Sequence, residues 1–271
     1  MRTALVVTGW ELRKLAVQLR VRLLLTAALM VSPLLAVGLA VQDALPRDTL
    51  LGRQLQDAGL SLPLVVLGFS AQWALPVLLG LVAGDLFSSE DQAGTWKTVL
   101  TRGVSRGSLF AGKALAGAAF TAALLTVLGV SSTVAGLLGP DRQPLLGLSG
   151  APLDDRTALV VTVASWASLL PPALALASVG LLASVLSRTS AVGVAVPVLV
   201  GFVMQLLSFV PGLGLVARAL LPAPLGAWHG LVRDDRYYGP LVEGALVSTL
   251  WVVVCLGVAH RSFSRRDVAA G

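Results

Sequence analysis

Charge disappears from this chain in long blocks. Six stretches, 23–41, 60–84, 114–138, 159–186, 191–209 and 241–259, carry no charged residue apart from Glu243 near one end of the last. About 20 residues of α-helix cross a hydrocarbon core roughly 30 Å thick, so each block predicts a transmembrane helix. A further apolar stretch, 210–232, is broken by Pro211, Pro222 and Pro224 and carries Arg218. It predicts short re-entrant or interfacial helices before the last span, because proline interrupts a helix too often there for a full crossing. Ahead of the first span, within 1–22, Leu12, Leu15, Ala16 and Leu19 lead on to Leu23 at helical spacing. They form an apolar stripe about 100° wide, bordered by Glu11, Lys14, Gln18 and Arg22 on one side and by Arg13 and Arg20 on the other. Long basic side chains beside such a stripe snorkel toward headgroups, which predicts an amphipathic interfacial helix. Trp10, Val17 and Val21 make a second apolar strip, so a plain basic flank that fixes topology is the alternative. The uncharged run of the first span exceeds the apolar core of a cleaved signal peptide, about 7–15 residues.

Composition takes the pattern further. Hydrophobic residues make up 56% of the chain and charged ones 13%, and the mean hydropathy is +0.85. A soluble domain carries roughly a quarter of its residues as charges. The expectation is therefore an all-α membrane protein, one transmembrane domain over 1–271, with no room between spans for a soluble domain. Counting Lys and Arg orients it: with both termini cytoplasmic, 13 of the 20 basic residues fall on that side. This predicts a multi-pass protein of the inner (plasma) membrane, and Ala-, Leu- and Arg-rich usage suggests a bacterial one. The basic balance follows from topology and implies no nucleic acid. Cys255 is the single cysteine and lies in an apolar run, so no disulfide framework exists.

Several motifs look chemical and fail on inspection. Gly107-Ser-Leu-Phe-Ala-Gly112-Lys113-Ala114 nearly matches a phosphate-binding loop, but Ala114 lacks the hydroxyl that would hold Mg²⁺, and a span begins within a few residues. Two acidic pairs, Asp154-Asp155 and Asp234-Asp235, are each followed by an arginine and read as solvated outer loops. His229 and His260 are too isolated for a metal cage. None of the first five spans contains an ionisable group, which ion-coupled carriers and intramembrane hydrolases require. Gln72, Gln205, Ser131, Thr133, Ser165, Ser168 and Ser178 are the mild polar groups left, expected to join helices. Catalytic residues, metal ligands and cofactor-binding residues are therefore all expected to be none.

The longest connection between spans, 85–113, is expected to be cytoplasmic. Ser88 or Ser89 is suited to cap a short helix, with Glu90 and Asp91 in its first turn. Val99 and Leu100 offer an apolar contact, Gly103 a stop, and Arg106 and Lys113 mark re-entry to the bilayer. A short exposed helix of this kind at a cytoplasmic face suits docking. The order of Glu90, Gly94-Thr95, Val99-Leu100, Ser105-Arg106 and Lys113 resembles the permease subunits of the type-2 ATP-binding-cassette (ABC) exporter family. Supporting marks are the Glu11-Leu-Arg13-Lys14 start, six spans, and the tail Phe263-Ser-Arg265-Arg266-Asp267. Gly103-Val104 departs from the proline that family members often place before the Ser-Arg pair.

The resemblance implies a cytoplasmic coupling helix that docks on a separate ATPase through Glu90, Asp91, Gly94, Thr95, Lys97, Val99, Leu100, Arg102 and Arg106. It also implies an N-terminal helix, with Trp10, Glu11, Arg13 and Lys14, that touches the same partner. Two ATPase chains, which bind the ATP and Mg, and a second permease chain as a homodimer would complete the transporter. The cargo, favoured by spans without fixed charge, is hydrophobic or amphipathic. Two other readings stand beside this one: a membrane-embedded assembly or regulatory subunit using the same loop, and a lipid-modifying enzyme using the outer Asp pairs.

Overall fold

The computed structural model describes residues 2–41, 54, 55, 57–96, 103–139, 143–233 and 235–265. Among them every regular element is a helix, and six helices are long and apolar enough to cross a membrane. The all-α reading with six spans therefore holds.

Helix α1 (Arg2–Val17) is separated from α2 (Leu19–Val41) by a break at Gln18. The Arg22 guanidinium donates back to the Ala16 carbonyl at 2.7 Å, satisfying an orphan acceptor at the end of α1. The second span begins as α3 (Ser61–Phe69), widens into a π-helical turn at Ser70–Ala74, and resumes as α4 (Leu75–Ala83). Pro76 explains the turn: its ring and missing N–H disturb the preceding α-helical bonds, and a wider turn absorbs them. A turn then leads to α5 (Ser88–Ala93).

Helix α6 (Arg106–Leu137) starts at Ser105, whose hydroxyl accepts from the Ser108 N–H at 3.2 Å. Its helix begins eight residues before the apolar run does, so Lys113 sits inside the helix and not at a loop end. The fourth span is α7 (Asp155–Ser168), capped by Asp154, followed after Leu169 by α8 (Leu170–Ser187). The Pro171-Pro172 pair accounts for that interruption. Then come α9 (Ser190–Ser208), the short α10 (Gly214–Ala219) and α11 (Pro222–Leu225), a 3-10 turn at Ala227–Leu231, and α12 (Gly239–Ser264). The proline-rich stretch thus forms short helices, as its breaks predict.

Helix α8 is the centre of the bundle and packs against α4, α6, α9 and α12. By contrast, only 11%, 28% and 17% of the most apolar windows of α2, α9 and α12 are buried within the chain. In a bilayer such surfaces need no water-facing side and are covered by lipid or by another helix. Ser168 and Ser178, expected to join helices, donate to carbonyls of their own helices at 2.7 Å each, and Ser178 also meets the Cys255 thiol of α12. Ser131 reaches across as well, to Ala28 O at 3.4 Å.

Candidate functional site

The turn 84–87, α5 and Gly94–Trp96 form one structure at the end of the second span, held from three sides. Its start is anchored by α8. A short helix exposes unsatisfied N–H groups at its first turn, and the Ser184 hydroxyl accepts from both Phe87 N (3.0 Å) and Ser88 N (2.9 Å). The expected caps are used otherwise: Ser88 donates to Gly84 O at 3.0 Å and Ser89 to Asp85 O at 2.7 Å. The cap comes from a helix about a hundred residues away in sequence, so no local signal revealed it. The helix Ser88–Ala93 ends at Gly94. Gly94 has φ 64, a left-handed conformation that glycine adopts at no steric cost.

Beneath this structure lies Lys113, whose side chain is 1% exposed. An ammonium carries three donors, and each has an acceptor: Leu86 O at 2.9 Å, Glu11 Oε1 at 2.9 Å and Glu90 Oε1 at 3.4 Å. Lys14 also pairs with Glu90, and the Thr95 hydroxyl donates to the other Glu90 oxygen. Two carboxylates and two ammonium groups therefore balance in one cluster drawn from α1, α5 and α6, buried except at Lys14. Burial pushes the Glu90 carboxyl upward. The charge of Lys113 and the hydrogen bonds from Lys14 and Thr95 outweigh it and hold the group at about 2 against an ordinary 4.5. One further ion pair, Arg20 with buried Asp85, ties the start of α2 to the same turn.

The rest of the floor is aromatic. Phe87 packs edge-on against Phe263 at 5.1 Å between centroids and stacks with Trp96 at 5.9 Å. Phe110 joins Phe87 at 5.6 Å and His260 at 5.0 Å. Lys113 Nζ lies 5.7 Å from the Phe87 centroid and 5.8 Å from that of Trp96, within cation–π range. Arg106 donates to Ser264 O at 2.9 Å, so the end of α12 is fastened to the start of α6. Asp91 accepts from Trp96 Nε1 at 2.9 Å, closing the small helix on its own exit.

The expected site residues thus separate into two groups. Glu11, Glu90 and Lys113 face inward, Lys14 and Thr95 are half-buried, and all five belong to the internal cluster. Trp10, Arg13 and Gly94 are exposed, and Asp91 and Arg106 are partly so. Lys97, Val99, Leu100 and Arg102 lie outside the described residues. Gln92 and Ala93, which the sequence reading passed over, are exposed beside Gly94. Helical geometry carries the signal that finds them: Glu90 lies three positions after Phe87 on the inner face, so Gln92 and Ala93 point away.

The phosphate-loop look-alike also has a structural explanation. A Cβ on Gly112 would sit 2.6 Å from Val7 Cβ, so this glycine lets α1 lie directly on α6, and Lys113 is the hub of the ion cluster. On α1, Val7, Glu11 and Leu15 are buried against the chain, while Leu12 and Ala16 are exposed, as is Leu19 at the start of α2. Glu11 from the polar edge and Leu15 from the stripe itself face protein, and the rest of the apolar part is left uncovered. Among the described residues no group of three or more His, Cys, Asp or Glu converges on a metal position.

Beyond the middle of the bundle, a cavity of about 710 Å³ lies between α3, the π-helical turn, α9 and the short helices. Apolar Leu64, Phe69 and Leu225 share its lining with Gln72, Gln205, Arg218 and His229.

A sequence comparison with curated proteins finds no match. Among protein families, residues 10–217 match the ABC-2 family transporter protein, a stretch that holds the second half of α1, the ion cluster and five of the six spans. With most of its length in that match, the chain belongs to the ABC-2 transporter family, as a permease component of membrane transport.

Proposed function

We propose that this chain is the transmembrane permease subunit of an ABC exporter, driven by ATP that a separate cytoplasmic ATPase binds with Mg²⁺ and hydrolyses. The observation that carries the reading is the platform around α5. A six-residue helix is too short to be stable alone, yet here it is fixed by Ser184, by the Lys113 cluster and by an aromatic floor. Rigid fixation of a small helix whose outer edge, Gln92 to Gly94, stays exposed is what a docking contact needs to pass displacement into a bundle. The positive-inside balance supports cytoplasmic termini and puts this platform on the ATPase side.

Two ATPase chains on a dimer of this permease is the stoichiometry we propose. The uncovered apolar flanks of α2, α9 and α12 support a partner helix face. The cavity beside the π-helical turn, apolar with a few polar groups, supports an amphipathic cargo moved outward.

The test is a pull-down of the tagged chain from its native membrane in mild detergent, with partners identified by mass spectrometry. A soluble ATPase in near-equal amount is the expected result. Repeated recovery of the intact chain without any nucleotide-binding partner overturns the proposal and favours an assembly or regulatory subunit.

A further inference from the structure

We infer that the cavity between α3, the π-helical turn, α9 and the short helices takes an amphipathic anion, its acidic head held by Arg218 and the Gln205 amide and its apolar part lying along Leu64, Phe69 and Leu225. The role of that ligand as cargo rests on the transporter reading, to which the inference adds the charge of the ligand and the residues that recognise it.

The charge in this cavity has one sign. Among its described lining residues Arg218 is the single charged one, and no Asp or Glu joins it. A guanidinium carries five N–H donors in a planar fork that suits a carboxylate, sulfate or phosphate. None of the five makes a hydrogen bond among the described residues. The ion-pair partner of Arg218, Glu243 of α12, is 4.0 Å away, beyond hydrogen-bond reach, and both side chains are exposed. The neighbouring backbone is fixed, because Trp251 Nε1 donates to Ala219 O at 2.9 Å and ties the end of α10 to α12. Gln205 lies one turn from the end of α9 and is 4% exposed, yet its amide has no partner among the described residues. A buried amide without a partner costs free energy that a ligand's acceptor would recover, and its NH₂ group offers two donors. His229 stacks on buried Trp228 at 3.9 Å and donates from Nδ1 to Gly226 O at 2.7 Å, so an exposed ring of the lining is also held in place. A volume of about 710 Å³ falls within the range of small-molecule sites, about 300–1,000 Å³, in which a few polar groups orient an otherwise apolar ligand. Here those groups include a positive charge that no acid of the lining offsets. A cationic head is repelled, and a neutral one leaves the guanidinium fork unused. The site is also remote from the docking edge, since Ser190 at the start of α9 donates to Gln92 at 2.8 Å and Gln205 lies near the other end of that helix.

The probes are dansyl-undecanoate and its primary amide, which differ only in the charge of the head. Each is titrated into the full chain in nanodiscs of phosphatidylcholine, a lipid of no net charge. Energy transfer from tryptophan to dansyl reports binding, with Trp228 in the lining as the near donor. The carboxylate should bind about tenfold more tightly than the amide, the worth of a charge-assisted hydrogen bond. Arg218→Gln should weaken the carboxylate about tenfold and leave the amide within about twofold. Gln205→Leu, of similar size, should weaken the carboxylate about fivefold. Glu243→Gln removes a competing acid and should leave carboxylate binding unchanged or about twofold tighter. Discs that also hold anionic phosphatidylglycerol distinguish the source of the head, with the Arg218→Gln chain in the same discs as reference. Competition with the probe assigns a membrane lipid, and undiminished binding assigns a soluble amphipath.

Equal affinity of the wild-type chain for carboxylate and amide overturns the inference, a result that needs no variant to fold. So does an Arg218→Gln chain that binds the carboxylate as tightly as wild type. If Arg218 served only to hold α10 against α12, Glu243→Gln would weaken binding as much as Arg218→Gln does, and that outcome overturns it too. Binding is read on the permease without its ATPase, so it is separable from the pull-down. A chain that prefers the carboxylate but recovers no ATPase keeps the anion site and loses the transporter reading. A chain that recovers an ATPase and ignores the charge of the head keeps the transporter reading and loses the anion site.

Discussion

Replacing Lys113 by Met tests whether the buried ion cluster holds the platform together. Methionine keeps nearly the length and volume of lysine and removes the three donors. Glu90 retains Lys14 and Thr95, so the unpaired charge falls chiefly on Glu11, and the Leu86 carbonyl loses its donor. Removing one partner of a buried ion pair costs about 3–5 kcal/mol. Glu11 is 11% exposed and can draw in water, which places the expected loss at the lower end, about 3 kcal/mol. The chain carries its own reporter, since Cys255 is its single cysteine and is buried beside the centre of the bundle. Labelling of the thiol by a maleimide dye in detergent follows opening of the fold. A loss of about 3 kcal/mol should raise the labelling rate roughly a hundredfold. Adding Glu11→Gln to Lys113→Met should restore part of the loss, because a neutral amide is cheaper to leave in that site. Labelling of Lys113→Met within about threefold of wild type, less than roughly 1 kcal/mol, would refute the argument that this lysine bears the cluster.

Other expectations follow from the same geometry. Ser184→Ala leaves the Phe87 and Ser88 N–H groups without their shared acceptor, which costs about 1–3 kcal/mol and should speed hydrogen exchange at those two amides; unchanged exchange would mean another acceptor replaces the hydroxyl. Gly94→Ala meets no neighbouring atom but must adopt φ 64, so a backbone cost of about 1 kcal/mol is expected, with Gly94→Asn milder, read as weaker ATPase retention in the pull-down. The Glu90 carboxyl lies at about 2 in the fold and near 4.5 in an open chain, so its contribution is complete above that upper value and is lost as pH falls toward the lower one. Cys255 labelling should accordingly accelerate between those pH values, after correction for intrinsic thiol reactivity, and Glu90→Gln should flatten that acceleration.

The six spans were legible because the bilayer imposes a length and a polarity that any sequence must meet in consecutive residues. Uncharged runs, the prolines of 210–232 and the bias of Lys and Arg are one-dimensional facts, and the helices follow them within a few residues at most ends. The family was legible for a similar reason, since Glu90, Gly94-Thr95, Ser105-Arg106 and Lys113 keep their order along the chain. Which way those residues face was not legible. Glu90 was expected on the docking surface and lies buried, and Ser88 was expected as a cap that Ser184 supplies instead. Glu11 and Lys113 read as flanking charges and are partners at 2.9 Å, although about a hundred residues separate them. Periodicity reports that a helix has two faces, but the choice of face depends on what another helix brings to it. The chain therefore determines its spans residue by residue, through the cost of each polar group in lipid. The pairing of charges at their ends waits on the bundle, because a buried ion pair exists only when both partners arrive together.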